Sequence, residues 1–208
     1  MSLKERLSLW YTMKEVGRIL RVMIIGGTYN PIHFGHLFLA EEVRTELNFD
    51  KAIFVPTLLP VHKKISPGIK PEHRLNMLKL AVDPYPQFIV DNCELERGGK
   101  SFSIDTIEYI INSYSLSEKP GFVIGDDLAI TFETWREPAR IAQETHLIVV
   151  HRLFREEVKF NYKHFYVNNM ILPLSSSEIR QRVRNGKSIK FLVREEVREY
   201  IEKHNLYR

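Results

Sequence analysis

Apolar and polar positions run along this chain in two rhythms, and the switches between them mark its elements. "RVMII" (residues 21–25) is an uninterrupted apolar run, as a strand buried on both faces shows. From His36 the rhythm lengthens, and Leu37, Ala40, Val43 and Leu47 fall on one helical face. "KAIFVP" (51–56) predicts a second strand, followed by a loop carrying Pro60, Pro67, Gly68 and Pro71. Leu75, Leu78 and Val82 are then in phase on a helix that Pro84 stops. "FIVD" (88–91) predicts a third strand, and Ile104, Ile107, Ile111 and Tyr114 share a face in the helical "SIDTIEYIINSY". "GFVIG" (121–125) and "THLIVVH" (145–151) predict two more strands, with a short helical region from Trp135 to Gln143 between them. The stretch up to Leu172 has room for one further short strand, and two helical patterns, 176–185 and 192–203, close the chain.

Strands alternating with helices imply a doubly wound α/β fold, with a mostly parallel sheet flanked by helices on both faces. Such sheets bind ligands at the carboxyl ends of their strands, where the strand order reverses. The loops after the first, fourth and fifth strands are therefore the places to look for chemistry. No internal repeat or linker divides the chain, so residues 21–208 are expected to form a single domain and residues 1–20 an N-terminal extension.

Composition narrows this little. The 44% hydrophobic content supports a substantial core and argues against disorder. Cys93 is the only cysteine, which excludes an intrachain disulfide and suits a reducing compartment. The N-terminal residues lack the apolar core of a signal peptide, and no run of 18 apolar residues occurs. A cytoplasmic protein without membrane association is expected. The net charge of +4 tolerates anionic substrates, but the basic residues are scattered among acids, as in "REEVREYIEKH", and do not indicate nucleic acid.

The chemistry concentrates in two places. In the first, Gly26, Gly27 and Thr28 end the first strand, Asn30-Pro31 follows, and His33 and His36 flank the start of the next helix. Glycines allow close approach of a ligand to the backbone, and a helix N-terminus favours phosphate. Neither G-x-G-x-x-G nor G-x-x-x-x-G-K-[ST] is present, which argues against a dehydrogenase and a P-loop ATPase. The histidines could suggest zinc, but no third ligand has the usual spacing, so no metal site is expected. The second place is "PLSSSEIRQRVRNGK" (173–187), where Ser175 and Glu178 have capping-box spacing and Arg180 lies in the first turns. Capping alone would explain the serines. Hydroxyls, free amides and an arginine would also converge there on phosphate oxygens.

"GGTYNPIHFGHL" resembles the G-G-T-F-D-P-x-H-x-G-H signature of the H-x-G-H nucleotidylyltransferases, specifically the bacterial nicotinate-nucleotide adenylyltransferases. Tyr29 replaces the usual Phe and Asn30 the usual Asp. "SSSEIR" is similar to the family's I-S-S-T-x-I-R, "LPVHKK" (59–64) to its P-P-H-K, and "VIGDDLAITFETWRE" (123–137) to its G-x-D…W region. "SFSIDT" (101–106) resembles the stretch near the pyridine carboxylate, and "VVHR" (149–152) part of V-x-R-P-G, with Leu153-Phe154 in place of Pro-Gly. The likeness runs from about Arg21 to Arg208.

It implies a Rossmann-like nucleotidylyltransferase fold and adenylyl transfer from ATP to nicotinate mononucleotide, giving deamido-NAD and pyrophosphate. On that resemblance His33, His36, Lys63 and Arg180 are the catalytic candidates. ATP would be held by Gly26, Gly27, Thr28, Asp126, Arg152, Ser176 and Ser177, and the nicotinate nucleotide by Asn30, Thr106 and Trp135. Mg²⁺ would accompany ATP. The alternatives are another H-x-G-H transferase, acting on phosphopantetheine or using CTP, and a non-catalytic nucleotide-binding protein on the same scaffold. The sequence leaves the oligomeric state open, a homo-oligomer included.

Overall fold

The structure is a computed structural model that describes residues 20–60, 69–154 and 156–208. Six strands form the main sheet: β1 (Val22–Gly27), β2 (Lys51–Pro56), β4 (Phe88–Val90), β6 (Gly121–Gly125), β7 (His146–Val150) and β8 (His164–Val167). Across the sheet they lie in the order β4-β2-β1-β6-β7-β8, and every neighbouring pair is parallel. The chain thus starts in the middle, winds to one edge, returns to the middle and winds to the other. The reversal falls between β1 and β6, the place where a doubly wound sheet opens a crevice for ligands.

The connecting helices are α1 (Phe34–Glu46), α2 (Pro71–Val82), α3 (Cys93–Arg97), α4 (Ser103–Ser113), α5 (Asp126–Ala129) and α6 (Pro138–Glu144). Helices α7 (Ser176–Arg184) and α8 (Glu195–Lys203) close the chain. Successive strand residues point to opposite faces, so each apolar run feeds two cores. Met23, Ile25, Phe54 and Ile148 meet Leu37, Ala40 and Val43 of α1, Met77 and Leu78 of α2, Ile179 of α7 and Val197 of α8. Ile24, Ile53, Phe122 and Leu147 meet Ile104, Ile107 and Ile110 of α4 and Ile141 of α6 on the other face.

The predicted strands are all present, and the further short strand expected before Leu172 is β8, at the sheet's edge. Three elements had no periodic signal because they are too short to carry one: α3, α5 and a two-stranded parallel ladder of β3 (Leu59–Pro60) with β5 (Lys100–Ser101). The helical region expected from Trp135 begins only at Pro138, and Trp135 itself follows a 3-10 turn, Phe132–Thr134. The last helix starts at Glu195 rather than residue 192, because Phe191 takes a left-handed φ of 67° and Lys190 bridges to Val193. Residues 1–19 of the expected extension lie outside the described residues.

Candidate active site

Gly26 and Gly27 do not make the turn after β1. Both still belong to the strand, paired in register with Val55 and Pro56. Gly27 is required for space: a Cβ there would stand 2.8 Å from Cε1 and Cζ of the Tyr29 ring. That ring is buried, its hydroxyl donating to the Ile25 carbonyl at 2.7 Å. The chain reverses at Tyr29, whose φ is 45°, and at the cis Asn30-Pro31 bond.

His33 then caps α1 in an extended conformation, and His36 lies one turn on, with the two ring centroids 3.8 Å apart. Gly35 makes the stacked pair feasible, because a Cβ at 35 would reach within 3.0 Å of His33 Nδ1. The His33 amide donates to His36 Nδ1 at 3.3 Å. An imidazole whose Nδ1 accepts carries its proton on Nε2, so His36 is set as a donor through Nε2. His33 is 6% exposed, and burial, assisted by the nearby Arg152 charge, pushes its pKa down to about 4. Near neutral pH His33 is therefore an uncharged ring.

Helix α7 docks against this turn from the far end of the chain. Ser175 caps it by accepting from the Glu178 amide at 3.1 Å. Ser176 donates its hydroxyl to the Pro31 carbonyl at 2.8 Å. Arg180 donates through Nη1 to the Asn30 carbonyl at 2.7 Å and through Nη2 to Ser177 Oγ at 3.0 Å. The two helix starts singled out in the sequence are therefore joined directly, and the partial positive charges of the two helix ends add in one region.

The loop after β7 forms another wall. Asp126 is fully buried, and its carboxylate accepts from the amides of Asp127 (2.7 Å), Leu153 (3.0 Å) and Phe154 (2.9 Å). In this structure its oxygens organise residues 151–154. Arg152, half exposed, leans on Asp127 at 3.3 Å.

The other expected residues are spread more widely. Asn30 is buried, and its side-chain oxygen accepts from the Tyr207 hydroxyl at 2.7 Å. Thr106 is buried on α4, donating to Glu94 at 2.7 Å and accepting from Arg97 at 3.2 Å. Trp135 is half-buried against Phe132 and Phe122, at ring-centroid distances of 5.2 and 6.3 Å. Lys63 lies outside the described residues.

Two residues that shape the site were not singled out in the sequence. Arg74, 1% exposed on α2, donates to the carbonyls of Thr28 (2.7 Å) and Leu58 (3.5 Å), tying together the loops after β1 and β2. Burial lowers its pKa without discharging it. A signal was available, since Arg74, Met77, Leu78 and Ala81 share one buried helical face, where an arginine is out of place. Tyr207 offered no such signal, because nothing local distinguishes it from a packing tyrosine.

Among the described residues, no grouping of three or more His, Cys, Asp or Glu could hold a metal ion, and no helix is long and apolar enough to cross a membrane. Burial, followed by the neighbouring Asp91, holds the Cys93 thiol well above its usual range, so it is no ready nucleophile. The arrangement gathers two imidazoles, an arginine and two helix N-termini around a turn at the sheet's switch point, donor groups whose chemistry suits phosphate oxygens.

Comparison with known proteins identifies the family. Residues 24–182 match the cytidylyltransferase-like family. The chain is 44% identical over 188 residues to a protein of Borrelia garinii subsp. bavariensis named "Probable nicotinate-nucleotide adenylyltransferase", covering 90% of this chain and 95% of that one. A protein of the same name from Dictyoglomus turgidum is 37% identical, covering 90% and 96%. Among solved structures, the Plasmodium falciparum nicotinic acid mononucleotide adenylyltransferase complexed with NaAD superposes with a TM-score of 0.73 at 19% identity, over 90% of this chain and 97% of that one. At that identity the superposition speaks for the fold.

Proposed function

The chain belongs to the cytidylyltransferase-like family, among its nicotinate-nucleotide adenylyltransferases, and from that premise we propose how its residues carry the reaction. It transfers the adenylyl group of ATP to nicotinate mononucleotide. A phosphate oxygen of the mononucleotide attacks the α-phosphorus of ATP in line, and the bond to the bridging oxygen breaks. Deamido-NAD forms and pyrophosphate leaves. No protein nucleophile takes part, so catalysis rests on positioning two anions and stabilising charge on the transferring phosphoryl group.

His33 and His36 donate to the triphosphate, with His36 nearest the reacting phosphorus. The reading is carried by one observation: the Arg180 and Ser176 contacts to the Asn30-Pro31 turn bring the second phosphate-suited helix start onto the first. Arg180 and Lys63 neutralise the departing pyrophosphate, while the amides of Ser176 and Ser177 and the Ser177 hydroxyl hold its oxygens, the Ser176 hydroxyl keeping its proton on the Pro31 carbonyl. Gly26, where a Cβ would meet nothing within 4 Å, and Thr28 leave room for the nucleotide beside β1, and Gly27 serves it by admitting the Tyr29 ring that shapes the turn. ATP enters as its Mg²⁺ complex, the ion held by phosphate oxygens and water.

Asp126 serves ATP through the loop it organises, setting Arg152 at the rim. On the acceptor side, Phe132 and Phe122 back Trp135 and fix its plane for stacking on the pyridine ring. Thr106 belongs to that side through its network with Glu94 and Arg97. Residues 21–208 act as one catalytic unit in the cytoplasm.

The test is pyrophosphate release with ATP and a panel of acceptors: nicotinate mononucleotide, nicotinamide mononucleotide and phosphopantetheine, with CTP as an alternative donor. Release that depends on ATP and is fastest with nicotinate mononucleotide is expected. Preference for phosphopantetheine or CTP would move the protein to another branch of the family. Tight ATP binding with no acceptor-dependent release would make it a nucleotide-binding protein without this activity.

A further inference from the structure

We propose that Tyr207 is a positioning residue for the triphosphate site: its hydroxyl latches the Asn30-Pro31 turn and keeps the site cationic. The inference rests on the functional reading above.

The turn is held from three sides. Arg74 grips the Thr28 carbonyl, Arg180 the Asn30 carbonyl and Ser176 the Pro31 carbonyl. Those three contacts reach only main-chain oxygens. Among the hydrogen bonds described, two involve side chains of residues 28–31: the Tyr29 hydroxyl donates to the Ile25 carbonyl within β1, and from the far end of the chain the Tyr207 hydroxyl donates to Asn30 Oδ1 at 2.7 Å. Both partners are buried, Asn30 at 3% and Tyr207 at 7% exposure. Tyr207 reaches the turn from a backbone with a left-handed φ of 66°, and its hydroxyl also lies 4.0 Å from Met77 Sδ. Such a conformation in a bulky residue persists only where surrounding contacts over-determine it.

The chemistry of the pair matters as much as its geometry. The Tyr207 hydroxyl sits within electrostatic reach of both Arg74 and Arg180. Among the described residues neither arginine has an ion-pair partner. A carboxylate at position 30 would lie between them and cancel one charge. Asn30 accepts the same hydroxyl proton without adding charge, and the buried phenol stays protonated. The latch therefore fixes the turn while leaving two guanidinium charges for the polyphosphate to neutralise. Because Asn30 leads directly into Pro31, Ile32 and His33, slack there is passed to the histidine pair and to Arg180 together.

The test is Tyr207→Phe, which keeps the ring packing and removes the hydroxyl, measured alone and combined with Asn30→Ala. We expect kcat/KM for ATP to fall about tenfold, or about 1.4 kcal/mol, with KM for nicotinate mononucleotide changed less than about twofold. In the Asn30→Ala background, Tyr207→Phe should cause no further fall, as for two halves of one contact. Equal losses for both substrates would mark a general structural role and overturn the proposal, as would losses that multiply in the double variant. Calorimetric binding of the Mg²⁺ complex of ATP is a second readout, expected to weaken by the same factor. If the unmodified protein released no pyrophosphate with any acceptor, the functional reading would fall. The binding measurement would then decide the latch by itself, and unchanged affinity in Tyr207→Phe would overturn it.

Discussion

Acidification should loosen this protein through His33, and the size of the effect follows from its burial. In the unfolded chain the ring takes its ordinary value of 6.5, while in the folded protein burial, and secondarily Arg152, push it down to about 4. Between those values the unfolded state binds a proton that the folded state refuses. Stability from this group is therefore complete above the unfolded value and is lost as pH falls towards the folded value. At about pH 5 the loss is about 2 kcal/mol, rising to about 3.4 kcal/mol below about pH 3, since one pKa unit corresponds to about 1.4 kcal/mol.

The perturbation is His33→Gln, which keeps a hydrogen-bonding side chain at the helix cap and removes the titration. Urea unfolding of both proteins at about pH 7.5 and about pH 5 gives four free energies. The unmodified protein should lose about 2 kcal/mol more on acidification than His33→Gln does. Differencing in this way cancels every other titrating group and any pH-independent cost of the substitution. Equal pH dependence in the two proteins would refute the reasoning, because His33 would then ionise as readily folded as unfolded.

Two other substitutions probe the site from either side. His36→Ala removes a donor placed for the transition state, so kcat should fall about 10²–10³-fold while the circular dichroism spectrum stays that of the folded protein; turnover near the unmodified rate would remove His36 from the mechanism. Asp126→Asn takes the charge from a carboxylate that accepts from three backbone amides, and a stability loss of about 2–3 kcal/mol in urea is expected, with a higher KM for ATP as the Arg152 loop loosens. An unchanged urea midpoint would show that those amides find equivalent partners without the charge.

The contrast between Arg74 and Tyr207 shows where legibility in the sequence ends. Arg74 occupies a helical face otherwise lined with Met77, Leu78 and Ala81, so local periodicity alone marks it as a charge committed inward. Tyr207 gains its meaning only from a partner 177 residues away. Gly27 lies between these cases. Its place beside a phosphate-suited turn was visible, but the reason for a glycine was not, since the atoms that exclude a Cβ belong to the folded-back ring of Tyr29. Asp126 is similar: its acidic character was plain, whereas its engagement with amides 27 and 28 residues downstream depends on how β6 and β7 lie side by side.

The sequence by itself determined the alternation of strand and helix, the doubly wound class and the two phosphate-suited helix starts. These follow from residue periodicity and local steric chemistry, which act over a few residues. Tertiary structure alone decided that the two starts meet, that Arg180 and Ser176 grip the Asn30-Pro31 turn, and that His33 stays uncharged near neutral pH. Contacts between segments about 150 residues apart depend on how the sheet winds and how the helices dock. The His33 shift depends on the water excluded by that docking, and neither is written in any local stretch of the chain.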